Sequence, residues 1–117
     1  MSDTQTTVAE LREVVRQFVG ERDWQQFHTP KNLAMSLAIE AAELMEHFQW
    51  LTPQQAADIA DDPAKLVAVG EELADVVCYT LALANALNLD VATAVRDKMV
   101  KNKKKYPVGE EWRKAEG

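Results

Sequence analysis

Glu40 with Glu43, and Glu72 with Asp75, form two carboxylate pairs at helical spacing in successive segments of a 117-residue chain. Residues three apart on a helix are neighbours on one face, so each pair offers two oxygen ligands in one direction. If the two helices pack together, four carboxylates converge with no Lys or Arg inside either motif. Such a cluster repels itself, and a hard divalent cation, Mg2+ first, relieves the repulsion. The setting of Glu40 sharpens the case. On a 3.6-residue period Leu33, Leu37, Leu44, Phe48 and Leu51 form an apolar stripe, with Glu40 near its middle. An unpaired carboxylate buried there is costly or gives up its charge, so the position calls for a cation, a basic partner or a wet cavity.

Other residues group around these four. Tyr79 continues the row of Glu72 and Asp75 at i+7, beside an apolar stripe of Leu66, Leu73, Val77 and Leu81. The connection before the first carboxylate helix, residues 21–28, concentrates Trp24, Phe27 and His28, and Trp50 ends that helix. Flat rings with a polar handle suit a nucleobase, although loop aromatics also plug the ends of helical bundles. Near the C-terminus Lys98 and Asn102 continue the stripe begun by Val91 and Val95, which points them toward a site. The adjoining Lys101, Lys103, Lys104 and Lys105 offer cations for phosphate, but a helix C-terminus attracts such residues in any case. His47 reads as a polar position at the core's edge. The single cysteine, Cys78, lies in an apolar helical stretch and reads as a small core residue.

The elements that must position these groups are well punctuated. Thr7 and Glu10 make a capping box ahead of Val8, Leu11, Val14, Val15, Phe18 and Val19. Thr29-Pro30, Thr52-Pro53 and Asp62-Pro63 each pair a capping residue with proline at the first helical position, and Asp90 caps a last helix. The pattern predicts main helices near 7–22, 30–50, 63–87 and 90–105, with a helical turn near 53–60 and no strand. The fold class is all-α. Short connections favour a four-helix bundle in a single domain over 1–107, followed by a flexible tail over 108–117. The third main helix is apolar around much of its circumference through Val69, Val76, Leu83 and Leu87, so a homo-oligomer is expected to cover it.

Composition narrows the function classes. Four glycines, four prolines and 27% charged residues describe an ordinary helical globular chain. One cysteine permits no internal disulfide, and neither a signal peptide nor a membrane-length apolar run is visible, which together point to the cytoplasm. A net charge of −6 disfavours non-specific binding to nucleic acid, and no membrane partner is expected.

Taken together, the segments ERDWQQFHTPKNL (21–33), IEAAELMEHFQW (39–50), GEELADVVCYTLALA (70–84) and AVRDKMVKNKKKYP (94–107) resemble the all-α nucleoside triphosphate pyrophosphohydrolases of the MazG-like superfamily. The resemblance covers about residues 8–107 and is nearest the dCTP pyrophosphatase branch. It implies Mg2+ held by Glu40, Glu43, Glu72 and Asp75, and cleavage of a nucleoside triphosphate between its α and β phosphates. It implies phosphate contacts from Lys98, Asn102 and Tyr106, a sugar contact from Tyr79, and a base pocket bounded by Trp24, His28 and Trp50. A homotetramer, a dimer of dimers in which neighbouring subunits complete each site, is implied as well, with dCTP or a modified dCTP as substrate. Ile39 stands where the wider superfamily often has a leading glutamate, a departure shared by the dCTP pyrophosphatase-like branch.

Two other classes compete. A ferritin-like di-iron bundle needs Glu-x-x-His motifs, and Glu43, Glu46 and His47 miss that spacing by one residue. A non-catalytic nucleotide-binding or oligomerisation module would not need so many acids facing an anionic ligand. A pyrophosphohydrolase for another nucleotide differs only in substrate profile.

Overall fold

The computed structural model describes residues 1–109. Helix α1 runs over Val8–Glu21, α2 over Pro30–Glu46, α3 over Pro53–Ala57, α4 over Pro63–Ala86 and α5 over Val91–Lys105. Short 3-10 turns occupy Gln25–Phe27 and Asp58–Asp61, and no strand occurs among the described residues. Every expected start is capped by its side chain. Thr7 forms the reciprocal box with Glu10, Thr29, Thr52 and Asp62 cap helices that open on proline, and Asp90 caps α5. The described part of the expected tail is short, because residues 110–117 lie outside the described residues.

The helix ends are equally local in origin. At the end of α1 the amide of Asp23 bonds Gly20 O at 3.1 Å and that of Trp24 bonds Val19 O at 3.0 Å, with Asp23 left-handed at φ 54°. This is a Schellman stop in which an aspartate takes the place usually given to glycine. Asn88, at φ 50°, does the same for α4, with the amide of Leu89 bonded to Ala84 O. Helix α2 stops four residues before the expected position. The amides of Phe48 and Gln49 both turn onto Met45 O, and the chain tightens before Thr52-Pro53 starts α3.

Packing centres on α4. Helix α2 lies along it in the most extensive contact, α1 packs on it next, and α5 touches the other helices only marginally. One chain therefore does not close the four-helix bundle that the short connections predict. The buried apolar residues among those described are few: Val19, Leu33, Ile59, Leu81, Ala82 and Ala84. The α2 stripe points inward as expected, from buried Leu33 through half-buried Leu37, Leu44 and Phe48. On α4 the expected stripe is covered only at Leu81, and Leu87 of the second set is exposed. Val69, Val76 and Leu83 are half-buried, whereas Leu66, Leu73 and Val77 of the expected core stripe are exposed. Cys78, expected in the core, is exposed for the same reason. The chain has too few packed helices to cover both apolar sides of α4.

Candidate active site

Glu40 and Glu43 project from α2 and Glu72 from α4, the helix pair with the largest contact. One carboxylate oxygen from each comes to within 4.8 Å of the others. All three residues are half-buried, and Glu40 Oε2 and Glu72 Oε2 are shut off from solvent with no hydrogen-bond partner. Among the described residues no ion pair reaches any of them. The Glu40 carboxyl is pushed up to about 7, first by the Glu43 carboxyl against which it lies, then by burial and by Glu72, with the charges of Glu43 and Asp75 adding to the effect. Asp75, one turn beyond Glu72, is exposed and stands at the rim. An all-carboxylate donor set with orphaned buried oxygens fits a hard divalent cation bound through oxygen.

Glu40 and Asp75 line a cavity of about 510 Å³ between α1, α2, α4 and the loop after α1. That volume lies in the range of small-molecule sites. Along α4 its lining passes from Asp75 through Cys78 and Tyr79 to Ala82, roughly 10 Å at the helical rise. The loop supplies the aromatic wall. The Schellman stop fixes where Trp24 leaves α1, and its ring meets Phe18 edge-on at 5.5 Å and lies 6.2 Å from the His28 ring. Arg22 caps the other side of Phe18, its guanidinium 3.8 Å from the ring centre. Asn32 then ties the loop to α2, its Nδ2 donating to Phe27 O at 3.1 Å. A flat group could stack on this wall while an anion approaches the carboxylate end through a cation.

The fold thus brings Glu40, Asp75, Trp24, His28 and Tyr79 to one cavity, with Glu43 and Glu72 clustered on Glu40. It does not bring in the others. Trp50 is 86% exposed beyond the end of α2 and lines no wall of this cavity. Lys98 and Asn102 ride on α5, which stands apart from α2 and α4, and Tyr106 follows at its C-cap. Asn102 instead places its amide 3.7 Å from Met99 Sδ. Phe18 and Cys78 line the cavity without belonging to any charged motif. Only the i+3 relation of Cys78 to Asp75 marks its place, and burial and that carboxylate both push the thiol upward in pKa.

Comparison with known proteins gives the chain its family. Residues 35–116 match the MazG-like family. The chain is 41% identical over 102 residues to dCTP pyrophosphatase 1 of Rattus norvegicus, covering 87% of this chain and 60% of that protein. The Homo sapiens protein of the same name is 41% identical over 101 residues, covering 86% and 59%. The chain therefore spans about three-fifths of the length of these curated relatives. A solved pyrophosphatase from Archaeoglobus fulgidus superposes with a TM-score of 0.77 at 38% identity, covering 92% of this chain and 98% of that one.

Proposed function

The chain belongs to the MazG-like family, and on that premise we propose that it is a Mg2+-dependent nucleoside triphosphate pyrophosphohydrolase, with dCTP or a base-modified dCTP as its first candidate substrate. The observation that carries this reading is the carboxylate cluster of Glu40, Glu43 and Glu72, two of its oxygens buried without partners, with Glu40 also lining an aromatic-walled cavity of nucleoside size. Relatives and a structural neighbour named as pyrophosphatases support it.

In this reading Glu40, Glu43, Glu72 and Asp75 hold the cation. When bound it would offset the charge of the triphosphate oxygens and polarise the phosphorus under attack. Trp24 stacks the base, His28 meets its polar edge and Tyr79 packs beside the sugar. The carboxylates set the direction of an incoming water and one of them takes its proton. The new bond forms to the α phosphorus, the α–β bridge breaks, and a nucleoside monophosphate and pyrophosphate leave. Trp50, Lys98, Asn102 and Tyr106 act on the site of a neighbouring copy in a homotetramer, since one chain holds them away from its own cavity.

The deciding experiment measures pyrophosphate release from the common ribo- and deoxyribonucleoside triphosphates, in Mg2+ and in EDTA. Mg2+-dependent turnover, highest with dCTP, is expected. Glu43→Gln should lower it by at least about a hundredfold with helicity and assembly retained. No turnover of any substrate, or full activity in Glu43→Gln, overturns the reading.

A further inference from the structure

A second cavity, of about 490 Å³, lies beside the first and shares Val15, Val19, His28 and Ala82 with it. Along α4 the lining continues in register, from Asp75, Tyr79 and Ala82 in the first cavity to Asn85 and Ala86 in the second. Asp75 to Asn85 spans roughly 15 Å at the helical rise. A nucleotide with its phosphates at the Asp75 end therefore carries its base at the level of Ala82 and presents the far edge of that base to Asn85. On this path α4 presents the small side chains of Ala82 and Ala86.

The second cavity differs from the first in charge. Arg12 Nε donates to Asn85 Oδ1 at 2.9 Å, and Arg16 Nη2 donates to the same oxygen at 3.2 Å. Asn85 Nδ2 returns a bond to Arg12 O at 3.1 Å, so the amide is held from both ends. Two guanidinium groups thus converge on one neutral oxygen. Arg16 pairs with Glu13 on its solvent side, and it is Arg16 that lines the cavity. Glu13 on Arg16 and Asp90 near Arg12 offset part of this charge, but the Arg16 fork keeps donors to spare for a planar carboxylate.

We propose that this second cavity is an anion-accepting subsite for the far edge of the base, with Arg16 as its cation. It selects pyrimidine nucleotides that carry an acidic substituent on the ring. The proposal rests on the reading of the first cavity as the nucleoside site. The test is calorimetric titration with dCMP, 5-methyl-dCMP and 5-carboxy-dCMP in Mg2+, alongside dCTP turnover. The carboxylated nucleotide should bind roughly tenfold more tightly than dCMP, and the methylated one about equally. Arg16→Gln, at an exposed position of α1, should erase that preference and leave dCMP binding unchanged, whereas Arg16→Lys should keep part of it. A preference that is absent, or that survives Arg16→Gln, overturns the subsite while dCTP turnover leaves the enzyme reading intact. Binding of none of the three, with no dCTP turnover, removes both.

Discussion

Glu40 carries the most tension of any residue described. Its carboxyl, at about 7, keeps a proton in the folded chain where an ordinary glutamate near 4.5 would have lost it. The sign follows directly. A folded-state value above the unfolded one means that the folded chain binds more protons through that window, so metal-free stability falls as pH rises from about 4.5 to about 7. A cation needs the deprotonated cluster and reverses the trend. In EDTA the melting temperature should therefore drop between about pH 5 and pH 8, and Mg2+ should raise it at the upper end far more than at the lower. Glu40→Gln should flatten both responses. A melting temperature that climbs with pH in EDTA, or an equal Mg2+ shift at both ends, would contradict the assignment. This residue was legible from the chain alone, because a glutamate centred in an apolar stripe has few physical explanations. Asp75 was less so, since spacing put it with Glu72 but could not say that it would stand at the rim.

At the scale of elements, the sequence was most informative where a local rule decides the outcome. Each Thr-Pro and Asp-Pro start appears where the capping side chain and the fixed proline φ put it, because both act within one turn. Ends were harder. The stop of α1 depends on Asp23 adopting a left-handed conformation that its residue type only tolerates, and α2 ends on tightened turns with no glycine to mark them. The loop between these helices carries Trp24 and His28, and its geometry rests on few bonds. Asn32 Nδ2 to Phe27 O is one that links it directly to the carboxylate helix. An exposed side-chain bond of this kind is worth about 1 kcal/mol. Asn32→Ala should accordingly lower the melting temperature by only about 5 °C. Its larger effect should fall on KM, raised several-fold with kcat within about twofold, because the base wall loosens while the carboxylates stay in place. Steady-state kinetics on the best substrate would check this, and an equal loss in kcat would place Asn32 in the reacting geometry instead.

At the scale of the whole molecule, four of the eleven predicted site residues, Trp50, Lys98, Asn102 and Tyr106, stand away from the cavity of a single chain. Its accessible surface is 9180 Å², against about 6,400 Å² for a compact protein of this mass. Its radius of gyration is 17.2 Å, where about 13 Å would suit a self-contained domain of this length. The excess is apolar in character. Leu11, Val14, Leu73 and Val77 line an open cavity of about 340 Å³ on the α1–α4 face, and Met35, Ile39 and Met45 are exposed on α2. Periodicity in the sequence reports that such faces are apolar but not whether the covering partner is the same chain, which is why the α4 stripes and Cys78 were placed inward. We propose that a second copy covers them and that the basic α5, left almost unpacked, reaches the acidic site of a neighbour. The wild-type protein should then sediment as an oligomer at micromolar concentration, and Leu73→Glu should break it toward monomer. Turnover should fall with the assembly, although Leu73 lies outside the nucleotide cavity. Mixing inactive Glu43→Gln subunits with inactive Lys98→Ala subunits should restore part of the activity, because some mixed sites then combine an intact carboxylate set with an intact lysine. Equilibrium sedimentation and assays on the mixture decide the matter together. An active monomer, or a mixture no better than its parts, would mean that α5 folds back on its own chain and that the exposed faces serve another purpose.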